Sequence, residues 1–117
     1  MTNSTDFGAA ANLLKILGHP VRLKIVCGLL GEPANLSRIA RDLAVPVSTL
    51  AQHLAVLRRG AILEEERQGV EVLFRVADPR VPAILCALCS PKAARGKLPR
   101  WSWGDLSRGR EAMVMKR

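Results

Sequence analysis

Tyrosine is absent from this 117-residue chain, and only Phe7, Phe74, Trp101 and Trp103 are aromatic. Hydrophobic residues nevertheless make up 49% of it, so its core has to be aliphatic. Histidine is limited to His19 and His53, and cysteine to Cys27, Cys86 and Cys89. No Gly-rich phosphate loop and no carboxylate or Ser/His constellation is found, which argues against an enzyme. A signal peptide and an apolar run near the length of a membrane span are both missing. The expected location is the cytoplasm, without a membrane partner, where thiols stay reduced unless used for redox or metal chemistry.

Acid is also in short supply, with 18 Lys/Arg against 10 Asp/Glu and a net charge of +8. The excess is local. Residues 1–90 hold ten Lys/Arg and eight Asp/Glu, whereas residues 91–117 hold eight and two. A basic protein favours nucleic acid or an anionic surface without choosing between them. At 12.7 kDa the chain suits one domain with a modest core.

What is present is a pattern from Leu36 to Leu57. Leu36, Ile39, Ala40 and Leu43 recur at three- and four-residue steps, one apolar face of a short helix. Val45-Pro46 interrupts, because proline biases its predecessor away from helical angles. Leu50, Leu54 and Leu57 then form the inner face of a second helix, within roughly 60° on the helical wheel. Two short helices across a tight break make a helix-turn-helix, whose second helix reads the DNA major groove. Ser48, Gln52, Ala55 and Arg59 fall outside, with Thr49 and Val56 on one flank. Gln suits a bidentate pair with adenine, and Ser or Thr a base or a phosphate. A plain solvated face would show the same polarity. The hairpin that follows favours DNA: Ile62–Glu66 and Glu71–Val76 are β-prone runs around Arg67-Gln68-Gly69-Val70, with Gly69 for the turn. A hairpin directly after such a helix is a wing.

Elsewhere, Met1 to Asp6 is expected to fray, and Phe7 to Leu17 reads as a first helix stopped by Gly18. Pro20 suits the first turn of a second helix, Val21 to about Gly31. A last helix starts at Asp78-Pro79 or at Pro82 and ends at Ser90-Pro91, with Val81, Ile84, Leu85 and Leu88 as its apolar stripe. The fold expected is mainly α with a β-hairpin wing, a homodimer built on the first and last helices, because so small a domain needs a partner for them. Residues 7–90 form its winged-helix domain, and 91–117 a flexible basic extension containing Trp101 and Trp103.

With LGHPVRLKIV, LSRIARDLAVPVSTLAQHLAVLRRGAI and RQGVEVLFRVADPR in this order, the chain resembles the ArsR/SmtB family of winged-helix repressors over roughly Leu13 to Cys89. The resemblance implies a repressor of transcription on double-stranded DNA with an inverted-repeat operator. Ser48, Thr49, Gln52, His53, Arg59, Arg67 and Gln68 would meet DNA. His53 belongs to the family's His-Leu pair, with a structural or phosphate-contacting role.

No cofactor is required, but such repressors answer to an inducer. One metal-sensing group carries Cys-x-Cys where this chain has Asn35 and Ser37, and another carries Asp/His and His/Glu pairs along the last helix, where no histidine lies here. A zinc site is therefore poorly supported. The cysteines remain. Cys27 lies with Leu23 and Leu30 on the inner face of the second helix, where a small core residue is the plain alternative. Cys89 and Cys86 fall roughly 90° and 150° from the centre of the last helix's stripe. Cys27 in RLKIVCGLL resembles the second-helix cysteine of the persulfide- and redox-responsive BigR/SqrR type, which pairs with a last-helix cysteine. That partner sits about a turn later than Cys89 and stands alone. Reactive sulfur species are the inducer this implies. The alternative is a trigonal arsenic or antimony site of Cys27, Cys86 and Cys89, and a constitutive DNA binder is a further one. Arg22, Lys24 and Arg80 are the cations that would favour a thiolate.

Overall fold

The computed structural model describes residues 6–89, apart from the Cys89 side chain. The expected basic extension, with Trp101 and Trp103, lies outside the described residues, as do Ser90 and residues 1–5. Five helices and three strands follow one another: α1 Phe7–Leu17, α2 Pro20–Gly31, β1 Ala34–Asn35, α3 Leu36–Leu43, α4 Val47–Arg59, β2 Leu63–Gln68, β3 Glu71–Val76 and α5 Val81–Cys89. This is a winged helix-turn-helix. The wing runs two residues further toward its tip than expected, placing Arg67 and Gln68 in β2 opposite Val72 and Glu71. Gly69 and Val70 alone make the turn, and Gly69 takes φ +63°, costly for any residue with a Cβ. The sheet order is β1-β3-β2, with Ala34 against Phe74 and Asn35 against Leu73. Strand β1 has no counterpart among the sequence expectations.

The core is aliphatic, as the composition requires. Its largest fully buried side chains are Ile25, Val26, Ile39, Leu50, Leu57, Ile62, Val81 and Leu85, drawn from α2 through α5. Helix α2 runs through the centre, with five consecutive buried residues from Ile25 to Leu29, so more than one of its faces meets protein.

Both ends of the helix-turn-helix close in the same unusual way. After α3, the Ala44 N–H donates to Arg41 O at 3.3 Å and the Val45 N–H to Ala40 O at 3.1 Å. After α4, the Ala61 N–H donates to Arg58 O and the Ile62 N–H to Leu57 O, each at 3.0 Å. This pair of bonds needs a left-handed residue, usually glycine, yet Ala44 (φ 56°) and Ala61 (φ 60°) take the position. The break is thus made by Ala44 as well as by Val45-Pro46. Gly60 is used one place earlier for a different reason: a Cβ there would lie 2.6 Å from Ile16 Cδ1 of α1.

Asp78 is buried, but it does not start a helix beside Pro79. Its Oδ1 accepts the Arg80 backbone N–H (2.8 Å) and Nε–H (3.1 Å), and its Oδ2 accepts Nη2–H (2.7 Å). Helix α5 starts at Val81, with Pro82 in its first turn, where a missing N–H is harmless. At the other end of the chain Asp6, expected to fray, caps α1 by accepting the Ala9 N–H at 3.0 Å.

Two outcomes follow for stability. Ala44→Gly should raise stability by about 0.5 kcal/mol, since relief of the left-handed strain exceeds the entropy added to the unfolded chain. Thermal melting should shift up by about 2–4 °C. The Arg80 hydrogen bonds hold the Asp78 carboxyl below its ordinary pKa. Its contribution is therefore present above the unfolded carboxylate pKa and disappears as pH falls through the lowered folded value. Urea melts of Asp78→Ala should show a loss of about 1–2 kcal/mol at neutral pH, fading in acid.

Candidate nucleic-acid interface

Burial of Leu50, Leu54 and Leu57 fixes the rotation of α4 about its axis. The opposite side is then determined: Ser48, Thr49, Gln52 and Arg59 are exposed, Ala55 and Val56 half-buried. The outer face expected from the wheel is the one presented to solvent. Its N-terminus has a further property. Side chains cap the other helices of the N-terminal half, with Asp6 on α1, His19 Nδ1 accepting the Val21 N–H on α2, and Asn35 Oδ1 accepting the Arg38 N–H on α3. Helix α4 starts after Pro46 with no side-chain cap hydrogen bond. Helix N-termini without a side-chain cap suit an anion.

The wing has a mixed charge. Glu64, Glu65, Glu66 and Glu71 outnumber Arg67 and Arg75 along it. Arg75 pairs with Glu64 and Glu66, while Glu65 pairs with Arg58 at the end of α4. Gln68 Nε2 donates to Glu66 Oε2 at 3.5 Å. Arg67 and Gln68 are exposed next to the tip. Between α4 and the wing, Leu36, Ala51, Leu54, Ala55, Arg58, Glu65 and Phe74 line a hollow of about 120 Å³. Drug-sized ligands need about 300 Å³ or more, so this hollow is too small for them.

His53 stands apart from the outward set. It is half-buried, and its Nδ1 accepts the Arg22 Nε–H at 3.3 Å, while Arg22 Nη1 donates to Ile16 O at 2.8 Å. The His19 ring lies 4.4 Å from it, centroid to centroid, at 52°. Burial first, then the charges of His19 and Arg22, hold His53 below its ordinary pKa. Residues 22 and 53 are far apart in the chain, and no local pattern marks their meeting.

The thiols are placed as follows. Cys27 is 3% exposed inside the core cluster, as its periodicity suggested. Cys86 is 9% exposed, whereas Leu88 is 64% exposed, so α5 is turned from the expected stripe: Cys86 faces inward and Leu88 outward. The Cys89 side chain lies outside the described residues. Arg22 and Arg80, expected to aid a thiolate, are engaged by His53 and Ile16 and by Asp78. Asn35 caps α3 and donates from Nδ2 to Glu71 Oε2 at 3.3 Å. Among the described residues, no three His, Cys, Asp or Glu side chains gather as a metal set. None of the described helices is long and apolar enough to cross a membrane.

Known proteins share this arrangement. A helix-turn-helix domain family matches residues 17–66. The transcriptional repressor PagR of Bacillus anthracis is 42% identical over 76 residues, covering 64% of this chain and 76% of that protein. The biofilm growth-associated repressor of Xylella fastidiosa (strain 9a5c) is 33% identical over 87 residues, 74% of this chain and 76% of the repressor. Reduced HlyU from Vibrio cholerae N16961 superimposes with a TM-score of 0.67 at 28% identity, covering 73% of this chain and 93% of that one. With its helix pair, its wing and these relatives, the chain belongs to the ArsR/SmtB family of winged helix-turn-helix transcriptional repressors.

Proposed function

We propose that the protein represses transcription in the cytoplasm as a homodimer on an inverted-repeat operator, and that cysteine chemistry releases it. The observation carrying the DNA reading is the outer face of α4: small, polar, ending in Arg59, and beginning in amides without a side-chain cap. Gln52 is the base reader, Ser48 and Thr49 serve bases or phosphates, Arg59 holds a phosphate, and Arg67 and Gln68 reach the backbone from the wing. Helix α1 exposes Phe7 (78%) and Leu14 (57%), and α5 exposes Leu88, apolar surface that a second copy would cover. Two recognition helices would then enter successive major grooves about 34–36 Å apart.

Support for the switch lies in placement. Cys27 occupies the central helix, and α5 brings Cys86 inward with Cys89 at its C-terminal end. Oxidation would join Cys27 to Cys89, with Cys86 in reserve: two thiols become one S–S bond, and two electrons and two protons pass to the oxidant. With a sulfane-sulfur donor, inserted sulfur atoms would lengthen the bridge and tolerate a wider gap than a direct disulfide. That HlyU has been solved in a form named as reduced gives the redox reading a parallel among the relatives. A bridge between α2 and α5 would shift the dimer-forming helix against the reading unit and bring the half-sites out of register.

Binding to duplexes selected by the wild type tests the reading face. Gln52→Ala should cost roughly 1–3 kcal/mol and relax preference at one base position, whereas Arg59→Ala should weaken all sites alike and flatten the salt slope. Unchanged affinity and preference in Gln52→Ala would remove that face from consideration. The switch is tested with Cys27→Ser, Cys86→Ser and Cys89→Ser. Under polysulfide or diamide, Cys27→Ser should stay bound where the wild type is released, and so should the variant lacking the working α5 thiol. Release by arsenite alone, lost in every single variant, would establish the three-thiol ion site instead. Affinity indifferent to all three reagents would leave a constitutive binder.

A further inference from the structure

Arg22 takes no part in the outward face, yet it touches three structural units. It starts from the first turn of α2, donates from Nη1 to Ile16 O near the end of α1, and from Nε to His53 Nδ1 on α4. Helix α1 meets the far end of α4 as well, where a Cβ on Gly60 would lie 2.6 Å from Ile16 Cδ1. We propose that Arg22 is the positioning residue that holds the recognition helix against the first helix, through a hydrogen bond that only neutral His53 accepts. The proposal rests on the DNA reading of α4 given above.

A guanidinium stays protonated at any physiological pH, so its Nε–H is always a donor. Nδ1 of His53 must therefore carry a lone pair, which puts the ring proton on Nε2. His19 is constrained in the same way, since its Nδ1 accepts the Val21 N–H at 3.1 Å. A proton on His53 Nδ1 would remove the acceptor and set a cation against Arg22, beside a second imidazole. Burial and these two neighbours already favour the neutral ring.

Other charges around the site do not oppose this. Helix α1 has Lys15 as its sole charged side chain, and it is exposed. On α2, besides Arg22, Lys24 is exposed. On α3, Arg38 pairs with Glu32 and Asp42, and Arg41 with Asp42. Among the described residues, the charges acting on His53 are those of His19 and Arg22, both of which oppose an imidazolium. Acid should thus loosen α4 from α1. Its sign is informative, because added positive charge by itself would strengthen binding to DNA.

The test uses the full chain and a duplex selected by the wild type at about pH 7.5, with amide hydrogen exchange on the DNA-free protein in parallel. Wild-type affinity should fall on going to about pH 5.5, by less than about tenfold, because the lowered pKa of His53 leaves part of the ring neutral there. His53→Asn keeps an acceptor where Nδ1 stood and cannot titrate, so its pH profile should be flat whatever its affinity. Arg22→Met should bind more weakly at about pH 7.5, lose the pH dependence, and exchange faster over Val47–Arg59, with Arg22→Lys intermediate. A wild-type affinity that rises in acid, or an equal pH dependence in His53→Asn, overturns the proposal. If Arg22→Met does not fold, the His53→Asn profile decides. A wild type that binds no duplex at all defeats the DNA reading. Exchange then judges Arg22 by itself: faster exchange in Arg22→Met sustains the positioning role, and unchanged exchange over α4 overturns it.

Discussion

Burial of Leu50, Leu54 and Leu57 is the constraint on which the reading surface depends, because a helix locked through three inward leucines has one rotation left to it. Turning α4 by a single residue would expose about 100° of a different face and bury Gln52 or Ser48 without partners. The leucines share one buried core with Ile25, Ile39 and Ile62, which come from α2, α3 and the entry to the wing. Chemical selectivity at the surface is therefore maintained by apolar packing underneath it.

The ends of the helix pair add a second constraint. Ala44 and Ala61 close their helices in a conformation that glycine adopts more easily, while the glycine beside Ala61 is kept for the close approach of Ile16. At Gly60 an added Cβ would meet the tip of the Ile16 side chain, which would have to move aside.

Much of this was legible in the chain. The spacing from Leu36 to Leu57 specified both helices and the face that would be free, and the wing was marked by two β-prone runs around Gly69. What escaped had no local signature. Strand β1 is two residues long, too short for any periodicity, and exists because Leu73 and Phe74 lie beside it. The hairpin turn was expected to be four residues wide, but Arg67 and Gln68 find cross-strand partners and extend the ladder. In α5 the run VPAILCALC is apolar on nearly every side; the wheel put Leu88 on the stripe and Cys86 away from it, whereas packing buries Cys86 and exposes Leu88. The contact between Arg22 and His53 joins residues distant in sequence and of ordinary character in isolation.

Strand β1 matters beyond its length. Asn35 ends that strand, caps α3 and holds Glu71 at the tip end of the wing's returning strand, so one residue fastens the wing to the beginning of the helix pair. A hairpin joined only through its own ends could swing like a flap. This one is pinned on both margins, by the chain leaving α4 and by β1 across the sheet. Helix pair and wing thus form a single casting with few internal degrees of freedom, and a regulator acting on it has to tilt or displace the whole piece instead of bending it.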